Sequence, residues 1–273
     1  MTIELGKVGV WRPKALLDDD LAVELERLGY GAIWIGGSPR ADLELAERLL
    51  DATRTIAVAT GIVNIWKDDA TTVAASHKRI DERHPGRFLV GIGAGHPEAT
   101  PHYGRPYAAL AAYLDGLDSG GVPVEDRVLA ALGPRVLRLA AERSAGAHPY
   151  LITPVHTRQA RELLGAGPLL APEQKVILET DTDKGRAVAR QRVAPYLGLR
   201  NYTENLRRLG YTDADLAGEG SDRLIDDLVP HGDAPEVARG ITAHLDAGAD
   251  HVCIQVLGDD PLTTYRTVAG ELF

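Results

Sequence analysis

The sequence has one cysteine, Cys253, among 273 residues. A single thiol excludes an intramolecular disulfide and any metal site built from cysteines. There is one methionine and there are two phenylalanines, so the core must be built mainly from Leu, Val, Ile and Ala. No apolar run approaches the roughly 20 residues that a membrane helix needs. The opening stretch, MTIELGKVGVW, has neither a basic segment nor an apolar one, so no secretory leader is expected and the expected compartment is the cytoplasm. A basic excess is missing too: 30 basic residues stand against 39 acidic ones, for a net charge of -9. That leaves no basic stripe for a nucleic acid or an acidic membrane surface. At 44% hydrophobic and 25% charged, the chain is neither disordered nor fibrous.

Several kinds of built-in chemistry are also missing. The nine histidines contain no HxH or HExxH spacing, so no metal site is expected. There is no GxSxG elbow and no Walker motif. No lysine falls inside a strand near its C-terminal end, which argues against a Schiff-base aldolase. Lys7 and Lys175 open their strands at the wrong end, and Lys67, just past the third strand, is the nearest candidate.

What is present is alternation. Short β-branched runs alternate with amphipathic stretches, the pattern of βα units around a parallel sheet. Strands are expected over 7–11, 32–35, 56–63, 87–92, 127–131, 147–152, 175–180 and 251–257. Each is followed by a helix, and a further helix over 235–246 precedes the last strand. Eight such units in this length fit a single (β/α)8 TIM barrel domain over 1–273. A doubly wound open sheet is the alternative, because periodicity cannot show closure. Residues 201–230 read as an irregular helical insertion between strands seven and eight, broken at Gly218-Glu219-Gly220.

In a barrel, function sits where strands end and helices begin. Three features lie there. Gly91, Gly93 and Gly95 let backbone approach a ligand closely, or simply make a tight rim turn. They are not a Rossmann fingerprint, since Pro97 and Pro101 interrupt before any helix. Ala131-Leu132-Gly133-Pro134 runs a strand into a helix start, where free N–H groups suit a phosphate. Spacing alone reads it as an ordinary βα turn. Trp11 and Trp66 end their strands, either as walls for a planar cofactor or as plugs for the barrel. Trp34, inside strand two, reads as core. Of the histidines, His96 and His102 lie in the loop after strand four and are the two candidates for chemistry. No nucleophile is built in, which points to a cofactor as the carrier of the reaction.

These residues resemble the bacterial luciferase-like oxidoreductases, and within them the actinobacterial branch that depends on coenzyme F420. The resemblance rests on YGAIW (30–34), ATGIVNIW (59–66), GRFLVGIGAGH (86–96), LAALGP (129–134) and AGADHV (247–252). It implies a (β/α)8 barrel with a flavin or deazaflavin at its C-terminal mouth. It implies a non-prolyl cis peptide at Gly61-Ile62, bulging against the cofactor ring, with Asn64 beside it. It implies a phosphate held by Ala131, Leu132, Gly133 and Pro134, and a ring flanked by Gly93, Ala94, Gly95 and His96. Trp11, Trp66 and Ser38 then fall on the substrate side, and Arg40 and Lys67 are rim charges. Two departures stand out. The acidic residue and histidine that several deazaflavin members carry after strand two are absent from Gly36-Gly37-Ser38-Pro39-Arg40. His96 stands where a related sugar-phosphate dehydrogenase has its glutamate proton donor.

The resulting expectation is an F420-dependent oxidoreductase exchanging a hydride with a small organic substrate, with His96 as proton donor. FMN is the alternative cofactor, serving a monooxygenase or reductase. A non-catalytic cofactor-binding protein is the second alternative. A homodimer is the expected assembly.

Overall fold

The computed structural model describes residues 3–100 and 103–273. Its strands are β1 (Val8–Pro13), β2 (Ala32–Gly36), β3 (Ala57–Gly61), β4 (Val63–Asn64), β5 (Phe88–Gly93), β6 (Arg127–Leu129), β7 (Gly146–Ala147), β8 (Leu169–Leu170), β9 (Glu173–Leu178), β10 (His231–Gly232) and β11 (Val252–Val256). Its helices are α1 (Asp19–Arg27), α2 (Glu44–Ala52), α3 (Ala70–Arg83), α4 (Pro106–Ser119), α5 (Pro134–Arg143), α6 (Pro154–Leu164), α7 (Thr182–Leu197), α8 (Arg200–Arg208), α9 (Asp213–Leu216), α10 (Asp222–Leu228), α11 (Ala234–Asp246) and α12 (Pro261–Leu272).

The strand order is β10-β9-β11-β1-β2-β3-β5-β6-β7-β8, with β4 on β5, and the pairings are parallel. Only Ala171 and Pro172 separate β8 from β9. They act as one strand that pairs with β7 through its first half and with β11 through its second. The amide of Ala171 donates to Ala147 (2.9 Å), that of Glu173 to Pro149 (2.9 Å) and that of Cys253 to Pro172 (2.9 Å). The ring therefore closes, and the structure is the expected barrel rather than an open sheet.

Alternation along each strand explains its filling. Ile33, Ile35, Val58, Val90 and Ile92 face the helices. Ala32, Trp34, Ala57 and Ala59 face inward, so small residues surround one large indole at the barrel's centre. Seven of the helices are held at their starts by side-chain caps, which satisfy N–H groups left over in the first turn. Asp18, Asp69, Asp181, Thr212, Ser221, Asp233 and Asp260 all do this.

Four strand expectations need correcting. Strand three does not run unbroken to Val63: it ends at Gly61, and the chain resumes pairing as β4 after the cis peptide Gly61-Ile62. The fifth, expected over 127–131, stops at Leu129. The sixth, expected over 147–152, is only Gly146–Ala147. Pro149 has no N–H to donate and Leu151 adopts a φ of 55°, so regular pairing stops there. The seventh, expected over 175–180, begins at Leu169 and is interrupted at Pro172. Its Glu173, Gln174 and Lys175 are buried, against the usual preference of such residues for water, and this hid the strand. Lys175 is therefore inside a barrel strand rather than opening it. The two-residue β10 was not anticipated. The insertion is more regular than expected: α8, α9 and α10, with the break at Gly218 and Gly220 (φ 58° and 90°). It packs through its own apolar cluster of Tyr202, Leu206, Leu216, Leu224 and Ile225.

Candidate active site

A cavity of about 430 Å³ opens at the C-terminal end of the barrel. Its size suits a small-molecule site. Of the residues singled out from sequence, Trp11, Ser38, Gly61, Ile62, Asn64, Ala94, Gly95, His96, Ala131, Leu132 and Gly133 line it, together with Lys67. Gly93, Pro134 and Trp66 lie outside its lining. Pro134 opens α5 behind Gly133. Trp66 holds the rim loop instead: its indole N–H donates to the carbonyl of Ala94 (2.7 Å) and its ring packs on Tyr103 at 5.2 Å. Arg40 is exposed and paired with Asp42 (3.2 Å). His102 lies outside the described residues.

The walls follow from local backbone. A Cβ at Gly61 would lie 2.7 Å from Nε1 of Trp11, so only glycine lets that indole close over the strand end. A Cβ at Gly93 would meet Ile62 at 3.0 Å, so Gly93 makes room for the Ile62 bulge that lines the cavity. Asn64 is buried, and its Oδ1 accepts from the amide of Trp66 (2.9 Å), which fixes the turn after β4.

On another wall, α5 starts at Gly133, with proline next and no side-chain cap; α6, whose start at Thr153 is likewise uncapped and followed by proline, begins outside the lining. Their first-turn N–H groups lack the side-chain partners that the seven capped helices have, as do those of α2, α4 and α8. The loop before α5 is held from behind by His156, whose Nε2–H donates to the carbonyl of Leu132 (3.0 Å). Burial pushes the His156 pKa down, the Leu132 bond opposes that, and Arg208 adds to the lowering. Space beyond Gly133 is open: nothing lies within 4 Å of where its Cβ would be.

His96 reaches from the loop after β5 to the insertion. Its Nδ1 is 3.0 Å from Oδ1 of Asn201, and its ring is 5.1 Å from that of Tyr202. With the Nδ1 proton donated to an amide oxygen, Nε2 is left as an acceptor.

Sequence reasoning missed a second histidine and three tyrosines. His148 follows β7 directly, and its ring lies flat on Trp34 (4.3 Å between centroids, 19° between planes). Its Nδ1 is 2.7 Å from the carbonyl of Ala171, so that nitrogen carries the proton. Burial lowers the His148 pKa to about 4, although the Ala171 bond raises it. The ring is thus neutral near pH 7, with Nε2 bare on the cavity side. Tyr150, Tyr196 and Tyr202 form a cluster against Trp11, with Tyr150 at 5.4 Å from both Trp11 and Tyr196. The hydroxyl of Tyr150 donates to Gln255 (2.9 Å) and lies 2.8 Å from that of Tyr196. Beneath them the ammonium of Lys175 sits 3.8 Å from the Tyr150 ring centroid. Composition gives no signal for these tyrosines, since Tyr30, Tyr113 and Tyr265 of the same chain go to the core.

Among the described residues, no three His, Cys, Asp or Glu side chains come together as a metal site, and no helix is long and apolar enough to cross a membrane.

The comparisons with known proteins follow this geometry. A model of the luciferase-like monooxygenases matches residues 19–117. Over 106 residues the chain is 28% identical to 4-hydroxyprotoasukamycin monooxygenase of Streptomyces nodosus subsp. asukaensis, covering 35% of this chain and 26% of that relative. The match thus spans only about a quarter of the relative's length. An F420-dependent secondary alcohol dehydrogenase, solved with an F420-acetone adduct, superposes with a TM-score of 0.75 at 14% identity, over 99% of this chain and 98% of that one. The oxygenating constituent of 3,6-diketocamphane monooxygenase from Pseudomonas putida, solved with FMN, superposes at 0.66 and 14%, over 96% of each chain. At such identities the likeness to the two structures is one of fold. Similarity to the luciferase-like monooxygenases thus covers residues 19–117 by sequence, and the fold of the two solved structures extends over nearly the whole chain.

Proposed function

We propose that this chain is an oxidoreductase that binds coenzyme F420 at the barrel mouth and exchanges a hydride with a small organic substrate. The observation that carries the reading is that one cavity joins the Ile62 bulge, the Gly95-His96 loop and the uncapped start of α5. The residues present fit such a cofactor. Apolar Ile62, Ala94, Ala130 and Leu132 suit a planar ring. The free N–H groups behind open space at Gly133 suit a phosphate. When bound, the deazaflavin supplies or receives the hydride. Trp11, Tyr150 and Tyr202 exclude water from that end of the cavity, which strengthens every polar contact inside it. His96 holds or releases a proton at Nε2 while Asn201 fixes its ring.

The fold shared with an FMN-bound monooxygenase favours a second reading, in which the same mouth takes FMN. Titration with F420 and FMN in parallel, followed by each cofactor's fluorescence, tests both. Tight binding of F420 alone is expected. Preference for FMN replaces the first reading with the second. Binding without hydride exchange across a substrate panel makes the chain a cofactor-binding protein rather than an enzyme.

A further inference from the structure

The floor of the cavity holds two polar atoms without partners. Nε1 of Trp11 is buried and has no hydrogen-bond partner. With the ring proton committed at Nδ1 to Ala171, Nε2 of His148 can only accept, and among the described residues no donor reaches it. Both atoms border the same spot. A Cβ built on Gly61 would lie 2.7 Å from Trp11 Nε1 and 3.2 Å from His148 Nε2. Both side chains are more than nine-tenths buried, at 7% and 2% exposure, and both line the cavity.

Their orientation is fixed from below. The His148 ring rests on Trp34, whose N–H donates to Nε2 of His251 (3.0 Å). His251 in turn is 2.8 Å from the carbonyl of Gly6 through Nδ1. The His148 ring cannot turn without breaking its bond to Ala171 and leaving Trp34, and the Trp11 ring is packed on that of Tyr150 at 5.4 Å. The floor therefore holds one N–H donor and one lone-pair acceptor, both beside Gly61.

We propose that this floor is the docking point for a hydroxyl group of the substrate, held between the indole N–H of Trp11 and Nε2 of His148. A hydroxyl is the small group that both accepts and donates at one oxygen. A carbonyl oxygen satisfies Trp11 but turns its lone pairs toward those of His148. An ammonium donates to His148 but leaves the indole unpaired. An alkyl group leaves both unpaired, and buried polar groups without partners are costly. The inference rests on reading the cavity as a substrate site, and it narrows that substrate to hydroxylated compounds.

The test uses the full chain labelled with 15N and two matched probes, cyclohexanol and cyclohexanone. The indole resonance of Trp11 is assigned by its loss in Trp11→Phe and followed during each titration. Cyclohexanol is expected to move it to saturation and to bind about five-fold more tightly than cyclohexanone. In His148→Phe, which keeps a flat ring on Trp34, that preference falls to about one. Equal affinities in the natural protein, or no movement of the resonance with either probe, overturn the proposal, whether or not the variant folds. So does a resonance that F420 moves by itself and cyclohexanol no longer moves once F420 is bound, because the floor then serves the cofactor. F420 fluorescence read on the same samples separates the two readings. A hydroxyl preference without F420 binding removes the cofactor and leaves the docking point standing. F420 binding without the preference does the reverse.

Discussion

Glu173 and Lys175 stand two residues apart on β9 and close an ion pair inside the barrel, 3.0 Å from Nζ to Oε1, with both side chains 1% exposed. Burial raises the Glu173 pKa and lowers that of Lys175, and each partner opposes the shift of the other. Such a pair contributes little net stability when intact, but breaking it strands a charge. Lys175→Met should therefore cost about 3–5 kcal/mol in urea unfolding. Glu173→Leu combined with Lys175→Met should recover a large part of that loss. A double variant as unstable as the sum of its parts would mean that the pair acts through its packing on Tyr150.

His96→Ala should lower turnover by about 100-fold or more and leave F420 affinity nearly intact. Equal loss of both would make His96 a binding residue. Asn201→Ala should reproduce part of the loss in turnover, because it releases the ring without removing Nε2.

Gly133→Ala separates fold from ligand. With nothing within 4 Å of the added methyl and an ordinary φ of -85°, the thermal midpoint should not move. The methyl enters the open space before α5, so affinity for a phosphate-bearing cofactor should fall by about ten-fold or more, a cost of about 1.4 kcal/mol. A large drop in thermal midpoint with unchanged affinity would place the phosphate elsewhere.

Stability should decline as the solution turns mildly acidic. Burial lowers the pKa of His148 and His251 to about 4 and of His244 to about 3. In the unfolded chain each titrates near about 6.5. As pH falls below that, the unfolded state takes up protons that the native state refuses, so the native state loses ground until its own pKa is reached. Each such histidine adds a slope of about 1.4 kcal/mol per pH unit in that window. Thermal midpoints measured between about pH 7 and about pH 5 should fall steeply, and His244→Gln should flatten the fall.

Much of this molecule was legible in its sequence. The alternation of β-branched and amphipathic stretches carried the barrel, and the rule that sites lie at strand ends brought eleven of the named residues to one cavity. The misses share a cause. Sequence patterning assumes that polar residues face water, and strand seven buries Glu173, Gln174 and Lys175 in the barrel. Sequence patterning carries strand six on to Ile152, which hides the fact that His148 stands at a strand end. Trp66 has the composition of a pocket wall, but its indole N–H found the carbonyl of Ala94, a contact that only tertiary structure reveals.

The uneven capping of the helices bears on anyone who would engineer this protein. A search for poorly started helices would select Gly133 along with Leu43, Arg105, Thr153 and Leu199, since none provides a side-chain acceptor to the turn it opens. Installing aspartate at 133 would secure α5 and raise heat resistance by the usual increment of a new cap, about 1 kcal/mol. It would also set a fixed negative charge where an incoming anion has to rest. Robustness and ligand capture thus compete for the same few amides, and a hardier variant chosen by melting temperature alone would be selected against its own work.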